Sequence, residues 1–383
     1  MLPFSLSHHI LRRTPSLPTT TITRIPRQQL HQRRSYACQI HHPTKLGALR
    51  SKLRAFGGGH IEFDLNHSPG LALLTLSNPA KHNALTGKMM AELADCVDFL
   101  EQATTDSSAS GATVSAMANT GKDEQGGQAP QLHPGSGLVL KSAGQAIERL
   151  EKAHVQILQG LVGVIITGAQ HKSYCAGLDL SAAKTTLLTP EAGSEMSALM
   201  VSTLTRFLRL PLITIAAIEK AAVGGGAEMT TFCDHRCIAE KARVQFVQTQ
   251  MGVVTGWGGA SRLLNLVPRS RALRLLASAE PIMGGEEAVR EGFAQLIAPS
   301  GKAVESATEY MQQYVWERRP VDGQEEGARR CVEAARAFKR IVSFGVDDEN
   351  VERVTELEKD LFKRLWGGKD NLARVEAASS KKK

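Results

Sequence analysis

The sequence predicts an α/β fold on three observations. Two apolar runs, residues 161–168 (LVGVIITG) and 212–218 (LITIAAI), have the length and composition of buried strands. Both are followed by glycine-containing loops, at 174–180 (YCAGLDL) and 221–228 (AAVGGGAE). An amphipathic segment over 191–208 lies between the two strands and has the spacing of a helix. Strands that alternate with helices build a sheet that the helices cover.

The N-terminal residues predict a leader that is removed. The first 61 residues hold ten of the 46 basic residues and no acidic one, so the remainder carries 36 basic against 38 acidic side chains. The positive charge therefore belongs to this end and gives no support to nucleic-acid binding by the rest of the chain. An acid-free stretch rich in Arg, Ser and Thr predicts a disordered, mitochondrial transit-like leader over 1–44 and a matrix location. The alternatives are a plain basic tail and, if the leader is not used, a cytosolic protein.

The predicted core runs from residue 45 to 283 and opens with a short helical segment. Residues 60–65 (HIEFDL) and 71–76 (LALLTL) are strand-like and flank a Pro-Gly pair, which predicts a β-hairpin. After the loop 78–85 (NPAKHNAL), Thr86 is expected to cap a helix over 87–102.

Residues 103–137 predict a disordered surface insertion within this core. They are rich in Gly, Ser, Ala, Gln and Thr and contain no aromatic residue, so they cannot bury a core of their own. Helical periodicity resumes over 138–158, ahead of the strand at 161–168.

The C-terminal part predicts a strand, a glycine-rich turn and a series of helices. Residues 235–240 (HRCIAE) have a strand pattern, and a helix is expected to begin near Gly258, within TGWGG. Residues 284–376 are mostly helical and charged, and their two long amphipathic helices predict an oligomerisation lobe. Residues 377–383 form a basic tail.

The six cysteines predict buried free thiols in a reducing compartment. Only Cys233 and Cys237 are close in sequence, and no second Cys/His pair stands at ligand spacing, so neither a metal site nor a disulfide framework is expected. No uninterrupted apolar run approaches the roughly 20 residues that a membrane span requires.

The two glycine loops predict an anion-binding site. In residues 224–228 (GGGAE) a strand stops at three glycines before a helix, which leaves N–H groups unpaired at the helix N-terminus. The loop 175–179 (CAGLD) also sets glycine beside a carboxylate. If the two strands are neighbours, one N–H from each loop can hold the same oxyanion. The alternative for each loop alone is a tight turn, and a phosphate loop lacks its Gly-Lys-Ser/Thr.

Five motifs in order resemble the crotonase superfamily of CoA-thioester enzymes. They are NPAKHNAL, YCAGLDL, the segment 211–228 that ends in GGGAE, FCDHRC and TGWGG. Within that superfamily, LTRFLRLPLITIA, GGGAEMTTFCDHR and MGVVTGWGGASRL are most similar to the versions of the ethylmalonyl-CoA decarboxylases. The resemblance covers residues 45–376, apart from the insertion. It implies a crotonase-like ββα spiral core with a C-terminal helical oligomerisation lobe.

The same resemblance implies the residues of the site. The N–H groups of Leu178 and Gly225 would hold the thioester oxygen, and Glu228 would carry out acid–base chemistry. No metal and no separate cofactor are implied, because CoA is part of the acyl-CoA substrate. A homotrimer or a dimer of trimers is also implied. The residues expected to contact substrate or CoA are Lys81, His82, Ala84, Tyr174, Ala176, Gly177, Asp179, Gly224, Gln250 and Trp257.

One departure from the superfamily pattern favours a particular reaction. Hydratases of the superfamily use two glutamates to activate a water molecule, and Gln250 stands at the position of the second. An amide does not exchange a proton near neutral pH, whereas loss of CO2 from a 2-carboxyacyl thioester produces the enolate without a base. Hydration is therefore disfavoured, and the resemblance implies decarboxylation of ethylmalonyl-CoA, and of methylmalonyl-CoA, as metabolite repair. Trp257 is expected to form an apolar wall of the pocket.

Other functions remain open alternatives. An enoyl-CoA isomerase needs only Glu228 to move one proton, and a hydratase of fatty-acid oxidation is a related alternative. A non-catalytic or RNA-binding crotonase scaffold belongs to a different class. The helix over 87–102 is acidic and the lysine tail is short, which disfavours RNA binding.

Overall fold

A computed structural model describes residues 43–105, 139–140, 157–171, 173–184, 189–317, 327–347, 351–365 and 371–373. The chain divides into two units, Met1–His42 and Pro43–Lys383, and every described residue belongs to the second. The predicted leader, apart from Pro43 and Thr44, lies outside the described residues, as do the predicted basic tail and residues 106–137 of the predicted insertion.

The described strands form two sheets, which confirms the predicted α/β class. Strand order in the seven-stranded sheet is β10-β7-β5-β4-β2-β1-β3, and the other sheet has the order β6-β8-β9. Pairing is parallel from β10 through to β2, whereas β1 is antiparallel to both of its neighbours. The strands are β1 (His60–Ser68), β2 (Leu71–Ser77), β3 (Val139–Leu140), β4 (Gly163–Gly168), β5 (Ile213–Ile218), β6 (Ala221–Val223), β7 (His235–Ala239), β8 (Arg243–Gln245), β9 (Ile282–Met283) and β10 (Leu296–Ala298).

Helices connect and cover these strands. Two short helices, Gly225–Thr230 and Gly259–Leu263, begin at glycine motifs. The described α-helices are α1 (Pro43–Arg54), α2 (Gly87–Thr105), α3 (Leu180–Ala183), α4 (Pro190–Arg209), α5 (Gly225–Thr230), α6 (Gly259–Leu263), α7 (Arg269–Ala277), α8 (Gly284–Arg290), α9 (Ala303–Met311), α10 (Val332–Asp347) and α11 (Val351–Leu365). Among the described residues, none of these helices combines the length and apolar character needed to cross a membrane.

Most of the predicted elements are present. The hairpin of β1 and β2 forms with Ile61 opposite Leu76, and Thr86 caps α2 by accepting a hydrogen bond from the N–H of Met89 at 3.3 Å. The helix α2 continues to Thr105, three residues into the segment predicted to be an insertion.

The short strands that the sequence did not predict include both edges of the main sheet. Val139–Leu140 was predicted to begin a helix, but it pairs with Phe63 and Asp64 of β1, because an open sheet edge offers free backbone partners. Leu296–Ala298 pairs with β7 and forms the other edge of the main sheet. The core sheet therefore includes residues beyond 283, where the sequence placed its boundary with the helical lobe.

The parallel strands at the centre of the sheet are buried on both faces. Every residue of β4 and β5 is buried, as expected for parallel strands with helices on each side. One face packs against α2 and α4 and forms the larger apolar cluster. The other face packs against α9, with Ala303, Ala307 and Met311 in a second cluster. A Cβ at Gly163 would lie 2.4 Å from Met311 Cε, which shows how closely α9 approaches β4.

Arg236 of β7 is fully buried and holds the end of α5. Its guanidinium donates to the carbonyl oxygens of Phe293, Cys233 (2.8 Å) and Thr230 (3.3 Å). Burial lowers the pKa of Arg236 to about 10. A cation at the C-terminus of a helix satisfies carbonyl groups that have no partner within the helix, so Arg236 fixes α5 against the sheet.

The helix α10 lies across the amino ends of the parallel strands. Lys339 Nζ donates to Asp234 Oδ1 at 2.5 Å and to the carbonyl oxygen of Leu208 at 2.8 Å. Arg336 donates to the carbonyl oxygens of Leu158 (2.6 Å) and Leu161 (3.0 Å), just before β4. A cavity of about 910 Å³ lies beside this helix and is lined in part by Leu208, Phe338 and Val342.

We expect Lys339→Met to destabilise the protein by about 3 kcal/mol, because it leaves Asp234 without its cation in a mostly buried position. The Lys339 and Asp234 side chains are 3% and 20% exposed. The control is Lys302→Met, whose pair with Glu305 is 57% and 69% exposed and whose loss should cost less than about 1 kcal/mol. Urea unfolding of both variants measures the difference, and equal midpoints would contradict an anchoring role for Lys339.

Candidate active site

Three loops meet at the carboxyl ends of the parallel strands. They follow β2, β4 and β5, and they contain the motifs at 78–85, 174–180 and 221–228. The N–H of Leu85 donates to the carbonyl oxygen of Gly177 at 2.7 Å, and the N–H of Val223 donates to that of Cys175 at 2.9 Å. Backbone hydrogen bonds therefore join the middle loop to the loop on each side, as expected if the preceding strands are neighbours in the sheet.

Glycine permits the closest of these approaches. Gly177 has a positive φ of 91°, and a Cβ there would lie 2.8 Å from the carbonyl oxygen of Val223 and 3.2 Å from the nitrogen of Gly225. A Cβ on Gly226 would lie 2.2 Å from the carbonyl oxygen of Cys175. Backbone thus packs directly on backbone, and any side chain would separate the two loops.

Two backbone donors remain available where these loops meet. Within the described residues, neither the N–H of Leu178 nor that of Gly225 has an acceptor. Gly225 is the first residue of α5, where the N–H has no intrahelical partner. Two free N–H groups on adjoining loops are the arrangement that an oxyanion hole needs.

Asn83 holds the first loop in place. Its fully buried side chain donates to the carbonyl oxygens of Ala169 (3.0 Å) and Ser173 (2.7 Å) and accepts from the N–H of Asn78 (3.0 Å). Asn83 and His82 both have positive φ, 57° and 51°. Asparagine is among the few residues that adopt this conformation readily. The asparagine in NPAKHNAL could therefore have indicated a left-handed turn, a signal that the sequence analysis did not use.

The other residues expected at the CoA site have different surroundings. Lys81 and His82 are exposed on the first loop, and Ala84 is buried. The carbonyl oxygen of His82 accepts from the N–H of Ala176 at 3.1 Å, which brings these two predicted residues together. Tyr174 is fully buried in the core, and burial raises its pKa. Within the described part of the chain, its hydroxyl has no hydrogen-bond partner.

Asp179 caps the short helix α3. Its carboxylate accepts from the N–H groups of Ser181 (2.9 Å) and Ala182 (3.2 Å) and from the Ser181 hydroxyl (2.5 Å). Burial acts to raise the pKa of Asp179, but these hydrogen bonds and the charge of Lys81 outweigh it and leave the pKa lowered. The side chain of Asp179 is thus occupied in capping a helix.

Glu228 is the buried ionisable group at the centre of the site. It is 2% exposed, and its Oε2 accepts from the N–H groups of Trp257 (2.9 Å) and Gly259 (3.0 Å). Its Oε1 accepts from Gln248 Nε2 (2.8 Å) and from the N–H of Gly256 (3.3 Å). Burial raises the pKa of Glu228 above its usual range, while the four donors act in the opposite direction.

Gln248, which the sequence reasoning did not single out, is the side chain that contacts Glu228. Gln250, which was expected at this position, is exposed, and its N–H donates to the carbonyl oxygen of Val247 at 3.0 Å. Both lie in one 3-10 turn, Gln248–Met251, so a two-residue difference decides which side chain faces inward. The sequence alone does not reveal a turn of this tightness at that point.

Trp257 covers the start of α5. A Cβ on Gly225 would lie 2.3 Å from Trp257 Cζ3, so the indole ring packs directly on the glycine Cα. Trp257 is 3% exposed, and its position follows from a tight turn at Gly258, whose φ is 89°. Gly224 precedes this contact with a positive φ of 55°. Predicted residues Gly224, Gly225, Glu228 and Trp257 are thus brought together.

Within the ranges that the structure describes, no three His, Cys, Asp or Glu side chains come together as metal ligands. The backbone donors and the buried carboxyl group of the site offer two kinds of chemistry. The free N–H groups can stabilise negative charge on an oxygen, and the buried carboxyl of Glu228 can give or take a proton.

Comparison with known proteins gives one family and a consistent set of relatives. The family model described as enoyl-CoA hydratase/isomerase matches residues 141–371. Among curated proteins, the ethylmalonyl-CoA decarboxylase of Danio rerio is 32% identical over 88% of this chain and 88% of its own length. Those of Bos taurus (31%; 94% and 95%) and Rattus norvegicus (33%; 84% and 85%) are similar to the same extent.

Solved structures share the fold at lower identity. An enoyl-CoA hydratase from Bacillus anthracis has a TM-score of 0.60 and 21% identity, over 84% of this chain and 96% of that chain. An enoyl-CoA hydratase from Polaromonas has a TM-score of 0.59 and 19% identity, over 84% and 98%. At such identities the likeness bears on the fold alone, and it confirms the predicted fold class.

Gly225→Ala is expected to destabilise the protein by about 2 kcal/mol, because the new methyl group overlaps the ring of Trp257. Gly256→Ala is the matched control, since a Cβ there has no atom within 4 Å and should change stability by less than about 0.5 kcal/mol. Denaturant unfolding of the two variants separates the cases. Equal stability would show that Trp257 does not confine position 225.

Proposed function

Because this chain belongs to the enoyl-CoA hydratase/isomerase family, we propose that it decarboxylates a 2-carboxyacyl-CoA thioester, ethylmalonyl-CoA first and methylmalonyl-CoA second. The observation that carries this proposal is that Glu228 is paired with an amide, that of Gln248, at 2.8 Å. Hydration of an enoyl thioester needs a second carboxylate beside the first, and none of the described residues supplies one in contact with Glu228. The names of the curated relatives point the same way.

The first step uses the free backbone donors. When the bond between the α-carbon and the carboxyl group breaks, CO2 leaves and the electron pair passes into the thioester as an enolate. The enolate oxygen then lies between the N–H groups of Leu178 and Gly225, which are fixed in place before the reaction begins. Fixed donors of this kind contribute about 3–4 kcal/mol each to transition-state stabilisation.

The second step uses Glu228. The α-carbon of the enolate takes a proton from the carboxyl group of Glu228, which becomes a carboxylate and is reprotonated from solvent. Burial raises the pKa of this group, so a protonated form is accessible nearer to neutral pH than for an exposed glutamate. The four donors around it hold the carboxyl group in one position.

The indole ring of Trp257 supplies an apolar surface beside the reacting atoms. It packs on Gly225, whose N–H is one of the two donors. An apolar wall weakens the solvation of the substrate carboxylate, which favours conversion of that charge into neutral CO2 and a delocalised enolate.

The reaction requires no cofactor beyond the CoA of the substrate, since the substrate itself provides the electron pair. We assign the protein to the mitochondrial matrix on the basis of its predicted leader, and to the repair of carboxylated by-products of acyl-CoA metabolism. We also assign it a homotrimer or a dimer of trimers. Exposed apolar side chains on α10 and α11, Phe338 (66%), Val342 (60%) and Phe362 (58%), support an assembled state.

An enoyl-CoA isomerase is the second candidate, and the single carboxylate favours it. One carboxylate can take a proton from one carbon of an allyl thioester and return it to another. The same oxyanion hole would stabilise the dienolate between these steps. A positional-isomer assay on a 3-enoyl-CoA distinguishes this reaction from decarboxylation.

Purified protein is expected to release CO2 from ethylmalonyl-CoA and form butyryl-CoA, without hydrating crotonyl-CoA. Glu228→Gln should lower turnover about 100-fold or more, because the proton donor is lost. The control is Glu305→Gln, which removes an exposed carboxylate on α9 and should leave turnover unchanged. CO2 release and product thioesters are measured together, and hydration of crotonyl-CoA in place of decarboxylation would refute the proposal.

A further inference from the structure

Gln248 has a feature that the proposed reaction leaves unexplained. Its Nε2 donates to Glu228 at 2.8 Å, but its Oε1 is buried and has no hydrogen-bond partner among the residues that the structure describes. A buried amide oxygen without a partner destabilises a fold. Such an atom points to a partner that the site gains when substrate binds or when a proton moves.

The orientation of this amide depends on the charge of Glu228. An ionised carboxylate only accepts hydrogen bonds, so it requires the NH2 group of Gln248 on its side. A protonated carboxyl group offers an O–H and pairs with the amide oxygen instead. Since the amide oxygen and nitrogen are nearly equal in size, a half-turn about the last side-chain bond exchanges them.

The substrate brings a carboxylate close to the same two groups, a step that rests on the proposed function. The α-carbon that Glu228 protonates is the atom that carries the departing carboxylate, so the two lie one bond apart. A carboxylate is repelled by an ionised Glu228 and by the free oxygen of Gln248. It is attracted to the NH2 group of Gln248 once the amide has turned.

We propose that Gln248 is a positioning residue that couples the proton on Glu228 to recognition of the substrate carboxylate. With Glu228 protonated, the amide oxygen accepts its O–H, and Nε2 donates to the carboxylate of the substrate. The C–C bond then breaks, CO2 leaves with neither electron of that bond, and the α-carbon takes the proton from Glu228. Glu228 is left as a carboxylate, the amide turns back to it, and solvent returns the proton after the product leaves.

We assign the coupling to Gln248 because, among the described residues, its side chain is the one that hydrogen-bonds to Glu228. The titratable groups near α5 are Tyr174, Cys175 and Asp179 in the neighbouring loop, Arg262 on α6, and Cys233, Asp234 and Arg236 beyond the end of α5. Arg236 donates to carbonyl oxygens at the opposite end of that helix from the glycine turn. Burial raises the pKa of Cys175 to about 12, so its thiol is neutral. The guanidinium of Arg262 lies over the ring of Phe232, 5.7 Å from its centroid, and Asp234 is paired with Lys339. The effects that dominate at Glu228 are burial and its four donors.

The test compares Gln248→Met, which keeps the length of the side chain but has no amide, with Gln250→Met on the exposed side of the same turn. Decarboxylation by Gln248→Met should show a KM about tenfold higher, from the lost charge-assisted hydrogen bond. Its activity should fall at a pH about one unit higher than in the wild type, because the hydrogen bond from the amide to the ionised carboxylate is stronger than the one to the neutral acid, and the variant loses both. Gln250→Met should match the wild type in both respects.

A second measurement is independent of turnover. The infrared band of the protonated Glu228 carboxyl group, assigned through Glu228→Gln, is followed against pH without substrate in the wild type, Gln248→Met and Gln248→Glu. Both Gln248 variants should move its titration upward. If wild-type protein releases no CO2 from any 2-carboxyacyl-CoA, the proposed function fails while this titration still tests the coupling. If decarboxylation occurs but KM, pH profile and titration are unchanged in Gln248→Met, the coupling is wrong and the proposed function stands.

Discussion

Direct contact between the backbones of three loops is the constraint on which the rest of the site depends. Parallel strands carry their following loops to one edge of the sheet, and hydrogen bonds from Leu85 and Val223 to the middle loop draw those loops together. Because Gly177 and Gly226 have no side chain, the backbones of the neighbouring loops come into direct contact at these two residues. The two unpaired N–H groups are a result of this contact, since the chain turns away before either finds an acceptor.

Opposite charges stabilise the two ends of α5 in different ways. At the first turn, the carboxylate of Glu228 lies among N–H donors from a different segment of the chain. At the last turn, Arg236 binds carbonyl oxygens and has no carboxylate within hydrogen-bond reach among the described residues. Both charges are buried, and each is compensated mainly by backbone dipoles. The helix is only six residues long, so these two side chains determine its position and with it the N–H of Gly225.

The sequence was informative wherever backbone geometry alone decides the structure. Glycine clusters after apolar runs predicted the loops at 175–179 and 224–228, and the alternation around Pro69-Gly70 predicted the hairpin. It was less informative where a side chain must choose a direction. Whether Gln248 or Gln250 faces Glu228 depends on a 3-10 turn whose residues have no distinctive propensity. Strands of two or three residues, such as β3 and β10, are stabilised by pairing with a neighbouring strand. They are too short to show a periodicity in the sequence.

The pairing of Lys339 with Asp234 has a consequence for the order in which the molecule is completed. The two residues are 105 positions apart, and Arg336 reaches back 175 positions to Leu161. A ribosome therefore finishes the strands, the glycine loops and the carboxyl of Glu228 long before the helix that closes the amino ends of the sheet exists. Until that helix arrives, Asp234 is a carboxylate without its cation. Contacts between such distant residues form slowly, so the amino ends of the sheet are closed late in folding.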